Sequence, residues 1–336
     1  MRIYSRSKKT YKVALLLILI NAGVILISLN TGSLRIAPAE VLRTLFGFGD
    51  FKNTLVLFEY RLPRIVITML AGIGLGIAGA ILQGLTRNPL ADPGILGLHA
   101  GASFGLIIFV TYFHSLNEKA AVLIPLFTFF GGILTAFIIL LLTYDRYKGI
   151  LPIRLILVGI AISASFNAIT LFLSLHLDEE TYTFASRWLV GSVWGRDWIH
   201  VIALLPWIVV LTPLAWLQSR KLDVLSLGDN AAVGLGVSVQ RSRLHILAIA
   251  VALSSASVAM VGGIGFIGLV APHLARRLVG PRHQQFLPVA GLLGMVILVL
   301  ADTVGRSIFQ PNAIPAGVVV AAIGAPYFLY LLTKTK

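Results

Sequence analysis

The residues best suited to chemistry in this chain are arginines, beginning with Arg61-Leu62-Pro63-Arg64 at the start of an apolar segment. A guanidinium presents a planar fork of donors that pairs bidentately with a carboxylate. Arg61 and Arg64 are therefore candidates for capturing carboxylates of a partner protein through exposed guanidiniums. The alternative is that both side chains snorkel to lipid headgroups, and the residues alone favour neither reading.

Acidic residues are almost missing from the apolar segments, and the best placed is Asp302, four residues before Arg306. A proton- or sodium-coupled carrier usually needs buried acids, although each is costly to insert into a bilayer. The spacing of this pair favours a local ion pair at a helix end. We therefore expect that any transport by this chain draws its energy from elsewhere.

A polar loop over residues 218–243 carries a short apolar stretch. Asp229 can cap a short helix there, and Gly234 or Gly236 can end it. The candidate contact residues in and around this helix are Leu227, Gly228, Asp229, Ala231, Ala232, Val233, Leu235 and Gly236. An apolar helix too short to span a membrane fits a groove in another protein. The alternative is an interfacial helix that lies on the membrane.

Motifs for several kinds of chemistry are absent from the sequence. It contains no phosphate-binding loop, no H-E-x-x-H, and no pair of histidines at ligand spacing. The triplet Gly72, Gly74 and Gly76 resembles a dinucleotide fingerprint, but it lies in an apolar helix with no preceding strand. Cysteine is absent, which excludes disulfides and thiol chemistry. We predict no catalytic residue, no metal and no cofactor.

Apolar segments long enough to cross a bilayer recur along the whole chain, and 57% of its residues are hydrophobic. They are residues 13–29, 65–82, 120–142, 155–175, 199–217, 244–261, 286–300 and 313–332, with shorter ones near 94–113 and 270–279. About 20 residues of helix cross the roughly 30 Å hydrocarbon core, where the backbone must pair within its own segment. The sequence predicts an all-α polytopic membrane protein of about ten helices, forming one domain over residues 1–336.

The chain has a net charge of +14, and most of its basic residues lie between the apolar segments. With ten crossings and a cytoplasmic N-terminus, most Lys and Arg residues lie on the cytoplasmic side, as the positive-inside rule requires. This orientation places both termini, the tail 1–12 and the loop 218–243 in the cytoplasm, and places Arg61 and Arg64 outside. The charge therefore reports topology, and we expect membrane lipid and no nucleic acid as a partner.

Two predicted helices share a sequence pattern, in which an Arg-Leu pair is followed by an apolar, glycine-rich segment. The first begins at Arg61-Leu62 and the second at Arg243-Leu244, and in the topology above they run in opposite directions, as in an inverted repeat. Breaks at membrane depth are tolerated where protein or a water-filled cavity covers the backbone. The candidate path residues at these breaks are Asn88, Pro89, Gly265 and Pro272. The alternative for each glycine is close helix packing.

Several long blocks resemble the permease subunits of the iron–siderophore and vitamin B12 ABC importers, which are FecCD-type, type II importers. The blocks are R-L-P-R-I-V (61–66), Q-G-L-x-R-N-P-L-A-D-P-G (83–94), G-G-I-G-F-I-G-L-V-A-P-H-L-A-R (262–276), L-A-D-T-V-G-R (300–306) and I-P-A-G-V-V-V-A-A-I-G-A-P-Y-F-L-Y-L-L (314–332). They occur in order and cover nearly the whole chain.

This resemblance implies a ten-helix permease that pairs with a second copy or a paralogue. It also implies two ATPase subunits on the cytoplasmic side and an extracytoplasmic substrate-binding protein. By position, Arg61, Arg64 and Arg306 match the family's outward arginines, which dock acidic residues of the binding protein. Residues 225–237 match the coupling helices, which insert into the ATPase.

One departure concerns the cytoplasmic gate before the fifth helix. Members of the family often carry small polar residues there, whereas this chain has Pro152-Ile153. The gate is still expected at these two residues.

The function implied by the resemblance is inward movement of a ferric siderophore or a related iron chelate across a bacterial inner membrane. ATP hydrolysis is expected on a separate subunit, so the chain itself is not an enzyme. Cobalamin or haem is the alternative cargo, and an ion-coupled secondary transporter is a further alternative. An intramembrane enzyme would need a catalytic pair within the bilayer, which we do not find.

Overall fold

The computed structural model describes residues 2–32, 34, 36–113, 120–145, 149–308 and 313–334. The helices are α1 (Arg2–Asn30), α2 (Pro38–Leu45), α3 (Phe51–Leu55), α4 (Leu62–Thr86), α5 (Leu98–Tyr112), α6 (Ala120–Thr143), α7 (Pro152–Ser174), α8 (Glu179–Leu189), α9 (Trp198–Leu217), α10 (Ser219–Ser226), α11 (Asp229–Gly234), α12 (Val239–Val261), α13 (Ile267–Val279), α14 (His283–Ile308) and α15 (Ala316–Lys334). A π-helical turn, Val56–Arg61, joins α3 to α4. Strands β1 (Tyr144–Asp145) and β2 (Gly149–Ile150) pair antiparallel before α7.

Within the described residues, eight helices are long and apolar enough to cross a membrane. Each coincides with one of the eight long apolar segments of the sequence. The shorter apolar helices α5 and α13 bring the number of crossings and half-crossings to about ten, as predicted. The tail 1–12 is not a separate element, because residues from Arg2 onward already belong to α1.

Helix α4 is the centre of the bundle and packs against α14, α12, α13 and α9. Glycines permit this close approach. A Cβ on Gly72 would lie 2.5 Å from the Gly294 carbonyl oxygen of α14, and one on Gly79 would lie 2.0 Å from the Gly268 carbonyl oxygen of α13. Helix–helix contact within a bilayer relies on such small residues because water drives no apolar association there. At these two positions the packing interpretation is confirmed.

The two glycine-rich helices have the same local plan. Helix α4 is followed by a turn and the short α5, and α12 is followed by a break over residues 262–266 and the short α13. The predicted break at Pro272 is wrong, because Pro272 lies inside the continuous helix α13. The Gly268 carbonyl oxygen, which the missing N–H of Pro272 cannot reach, instead accepts from Gln83 Nε2 of α4 at 3.4 Å. The interruption occurs instead at Gly262–Phe266, where Gly262 has φ +78°.

Candidate functional site

Two arginines meet around a single carboxylate at one end of the bundle, and a third arginine lies nearby. Arg64 of α4 donates to both carboxylate oxygens of Asp302 on α14, at 2.6–3.1 Å. Arg306 lies one turn after Asp302, with Nε 3.6 Å from Oδ2. Arg61 donates to the carbonyl oxygens of Leu29 and Leu34 instead. We call Arg61, Arg64, Arg306 and Asp302 the outer cluster, after the side of the membrane on which the sequence analysis predicts Arg61 and Arg64.

The expectation of exposed guanidiniums is wrong for this conformation. Arg61 is 6% exposed, and the side chains of Arg64 and Arg306 are only 19% and 10% exposed. Arg306 donates to the Thr31 carbonyl oxygen at 2.5 Å and to Ser28 Oγ at 2.6 Å. The i,i+4 pair predicted for Asp302 exists, but the long-range contact with Arg64 is the shorter and bidentate one. The sequence could not show it, because the two residues are 238 positions apart.

At the opposite end, α10 and α11 form an arm between α9 and α12. Gly228, at φ +114° and ψ 157°, turns the chain between the two short helices. Helix α11 ends at Gly234, where Gly236 (φ +78°) lets the following backbone N–H groups reach back to the helix carbonyls. The predicted end of this helix is confirmed. We call residues 219–237 the coupling arm.

Asp229 does not cap α11 as expected. The cap position is Gly228, with no side-chain hydrogen bond. The Asp229 carboxylate instead pairs with Arg87, which follows α4, and with Arg243 of α12, whose Nη2 lies 2.9 Å from Oδ1. Burial opposes ionisation, but the two guanidinium hydrogen bonds outweigh it and hold the pKa of Asp229 below its ordinary value. Asp229 therefore ties the coupling arm to α4 and α12.

The apolar residues of the arm divide into two sets. Leu227, Val233 and Leu235 are more than 60% exposed, whereas Ala232 is fully buried within this chain. The prediction that Ala232 faces a partner is therefore wrong, because successive residues of a helix point in directions about 100° apart. The exposed set is the surface that can enter a groove in another protein.

Further contacts hold the arm against α14. Asp223 of α10 accepts from the His283 backbone N–H at 2.9 Å and contacts the His283 ring at 2.6 Å. Trp216, at the end of α9, donates to the Gln284 carbonyl oxygen at 3.1 Å. Arg87 also donates to the Leu225 carbonyl oxygen at 3.0 Å. The arm is thus attached to the bundle at several points.

The predicted gate residues lie where α7 begins. Pro152 is the first residue of α7, and Ile153 is 74% exposed. Just before them, the Ile150 backbone is held from both sides by α12. Its N–H donates to Gln240 Oε1 at 3.0 Å, and its carbonyl accepts from Arg243 Nη1 at 2.8 Å.

The remaining path candidates lie on separate elements. Asn88 and Pro89 form the turn after α4, where Asn88 Oδ1 accepts from the Leu90 backbone N–H at 2.9 Å. Gly265 lies between α12 and α13, with nothing within 4 Å of an added Cβ. Pro272 is buried inside α13. These four candidates thus lie on three different elements of the fold.

Sequence reasoning missed Arg87 and Arg243 as functional candidates, because it counted both only as topological charges. The available signal was their position, one directly after the first glycine-rich helix and the other at the start of the second. Within the described ranges, no group of three or more His, Cys, Asp or Glu residues could hold a metal ion.

Comparison with known proteins agrees with this architecture over nearly the full length. The sequence profile of the FecCD transport family matches residues 16–334. This chain belongs to the FecCD transport family. The iron(3+)-hydroxamate import system permease protein FhuG of Bacillus subtilis (strain 168) is 45% identical, over 93% of this chain and 94% of FhuG. The Fe(3+) dicitrate transport system permease protein FecD of Escherichia coli (strain K12) is 40% identical, over 94% of this chain and 96% of FecD.

The fold agrees as well. A solved structure described as an inward-facing conformation of a metal-chelate type ABC transporter superposes with a TM-score of 0.82. The two sequences are 30% identical, over 96% of this chain and 99% of that one. The FecCD-family chain is accordingly a multi-pass membrane permease of a bacterial ABC importer. It is a transport subunit, and ATP hydrolysis belongs to a partner.

Proposed function

We propose that this chain is the membrane-spanning subunit of an ATP-driven type II importer that moves a ferric siderophore or a related iron chelate into the cytoplasm. It pairs with a second permease, either another copy or a paralogue. Two ATPase subunits bind on the cytoplasmic side, where both termini lie, and a substrate-binding protein docks on the outer side. The observation that carries the proposal is the coupling arm, an exposed apolar surface braced against several bundle helices.

The arm supports an ATPase contact on physical grounds. Leu227, Val233 and Leu235 project beyond the end of the membrane helices, where water makes exposed apolar side chains unfavourable. A groove in a partner would bury them. Because Asp229 joins the arm to α4 and α12 by charged contacts, displacement of the arm by a partner is carried into the bundle.

Relatives support the cargo class. FhuG is named for iron(3+)-hydroxamate and FecD for Fe(3+) dicitrate. Both cargoes are ferric ions wrapped by oxygen-rich chelators. The shared cargo of these full-length relatives favours an iron chelate over cobalamin or haem for this chain.

Charge supports docking at the outer cluster. Two guanidiniums contact one carboxylate and a third, that of Arg61, is bound to backbone carbonyl oxygens, so the cluster carries excess positive charge despite its internal contacts. Such a surface attracts an acidic partner and orients its approach. Arg64, the most exposed of the three arginines, is the first that an incoming carboxylate would meet.

The test is uptake by proteoliposomes that contain the chain with its co-purified ATPase and binding protein. We expect ATP-dependent accumulation of a ferric hydroxamate or ferric citrate, and none with an ATPase subunit whose phosphate-loop lysine is replaced. Uptake without any ATPase would overturn the proposal in favour of an ion-coupled carrier. Accumulation of cobalamin alone would overturn the cargo assignment.

A further inference from the structure

One arginine links the coupling arm to the predicted gate. The Arg243 guanidinium donates through Nη2 to Asp229 on α11 and through Nη1 to the Ile150 carbonyl oxygen, at 2.9 and 2.8 Å. Its side chain is only 4% exposed, although the Asp229 carboxylate that it contacts is 45% exposed. One rigid planar group therefore touches both the arm and the segment that leads into α7.

The segment after Ile150 is short and stiff. One residue, Leu151, separates Ile150 from Pro152, whose ring fixes φ at the first position of α7. The Ile150 N–H donates to Gln240 Oε1 at 3.0 Å, so both backbone polar groups of Ile150 are hydrogen-bonded to α12. Because this connection is short and stiff, a displacement of Ile150 also displaces Pro152 and Ile153.

A further contact joins the β1–β2 hairpin to α7. Arg154, in the first turn of α7, pairs with Asp145 of β1 at 3.3 Å. Gly149, at φ +68°, lies directly beneath the Gln240 side chain, and a Cβ there would come within 2.1 Å of Gln240 Cδ. The hairpin and the start of α7 thus fit α12 as one unit.

Arg87 provides an internal comparison. It also pairs with Asp229, and it donates to the Leu225 carbonyl oxygen at 3.0 Å, but its contacts lead to the arm and to α4. Arg87 and Arg243 therefore share one carboxylate, and only Arg243 reaches Ile150.

We infer that Arg243 is the positioning residue that transmits movement of the coupling arm to the cytoplasmic end of α7. The inference rests on the proposed function and names the contacts through which movement would pass from the arm to α7. Movement of Asp229 shifts the guanidinium, the guanidinium shifts the Ile150 carbonyl, and Pro152 and Ile153 follow. Neither bond needs to break during this movement.

The first test uses the purified full-length chain in nanodiscs, without partners. Spin labels are attached at Ile153→Cys and Leu235→Cys, which are both well exposed in a chain that lacks native cysteine. We expect Arg243→Gln to broaden the label-to-label distance distribution and Arg87→Gln to leave its width close to that of the parent. Equal widths in the parent and Arg243→Gln would overturn the inference.

The second test measures chelate transported per ATP hydrolysed in the complete reconstituted complex. Arg243→Gln removes both charged contacts of the guanidinium, so this ratio should fall about tenfold or more, which is within the usual range for coupling between sites. We expect a smaller loss for Arg87→Gln, and for Arg243→Lys a ratio between those of the parent and Arg243→Gln. A merely structural role predicts reduced assembly with an unchanged ratio, and that result would overturn the inference.

The two tests separate this inference from the proposed function. If the parent complex moves no chelate, the proposed function fails, and the distance distributions still decide whether Arg243 links the arm to α7. If Arg243→Gln does not fold, Arg243→Lys takes its place in both measurements. A width and a ratio equal to those of the parent would then overturn the inference.

Discussion

The outer cluster and the Asp229 contacts are built alike, since each places one aspartate between two arginines, yet they differ in burial. The Asp302 side chain is 2% exposed and that of Asp229 is 45% exposed. Helix α4 connects the two, with Arg64 near its start and Arg87 directly after its end. The buried site is bidentate and fixed, whereas the exposed one joins a short arm to the bundle. The difference indicates that the bundle is held more firmly at Asp302 than the arm is held at Asp229.

The most direct test of this comparison is to remove each carboxylate. Asp302→Ala leaves Arg64 and Arg306 buried without their anion, and breaking a buried pair in this way costs about 3–5 kcal/mol. Asp229→Ala removes a half-exposed anion and leaves the buried Arg243 guanidinium with its contact to the Ile150 carbonyl oxygen, so a smaller loss of about 1–3 kcal/mol is expected. The measurement is the free energy of unfolding of the purified chain in mixed micelles. Equal losses would contradict the comparison.

Neighbouring positions of α11 separate the arm's internal face from its exposed face. Ala232→Arg forces a charge into a buried site and should destabilise the chain by about 1–3 kcal/mol. Val233→Arg places the same side chain on an exposed position, so the fold should persist while affinity for the ATPase falls. Unfolding and ATPase pull-down assays distinguish the two. If Val233→Arg destabilises the chain as strongly as Ala232→Arg, then the face of α11 described as exposed is in fact buried.

Two glycines with positive φ test how tightly each end is packed. A Cβ on Gly32 would lie 3.1 Å from Arg306 Nη1 and 3.3 Å from Arg61 Nη2, whereas one on Gly228 meets nothing within 4 Å. Both alanine variants carry backbone strain of about 1–3 kcal/mol. Only Gly32→Ala also crowds guanidiniums, so its thermal unfolding temperature should fall further than that of Gly228→Ala. The reverse order would mean that the chain is packed more tightly around Gly228 than around Gly32.

The smallest expected effect is that of pH. Because the folded-state pKa of Asp229 is depressed, its stabilising contribution is present above the ordinary value of about 3.9 and is lost as pH falls through the folded-state pKa. The difference in unfolding free energy between the parent and Asp229→Asn should therefore stay constant from about pH 8 to pH 5 and shrink only below about pH 4. A difference that disappears near neutral pH would show that the carboxylate is not paired as described.

The number, positions and helical nature of the membrane segments followed from the residues themselves. In hydrocarbon a backbone has few ways to satisfy its polar groups, so length and hydropathy suffice to locate α1, α4, α6, α7, α9, α12, α14 and α15. The glycine and proline positions located the end of α11 and the interruption after α4 for the same local reasons, but they misplaced the second interruption at Pro272.

Contacts between distant residues were decided only by the tertiary structure. Arg64 and Asp302 both appeared in the sequence as candidates, but their pairing depends on α4 packing beside α14. Ala232 looked like a contact residue until the rotation of α11 placed it inward, and Arg243 looked like a topological charge until α12 came to lie beside Ile150. Hydropathy determines which segments enter the membrane, whereas side-chain partners depend on how the helices pack, which close glycine contacts control.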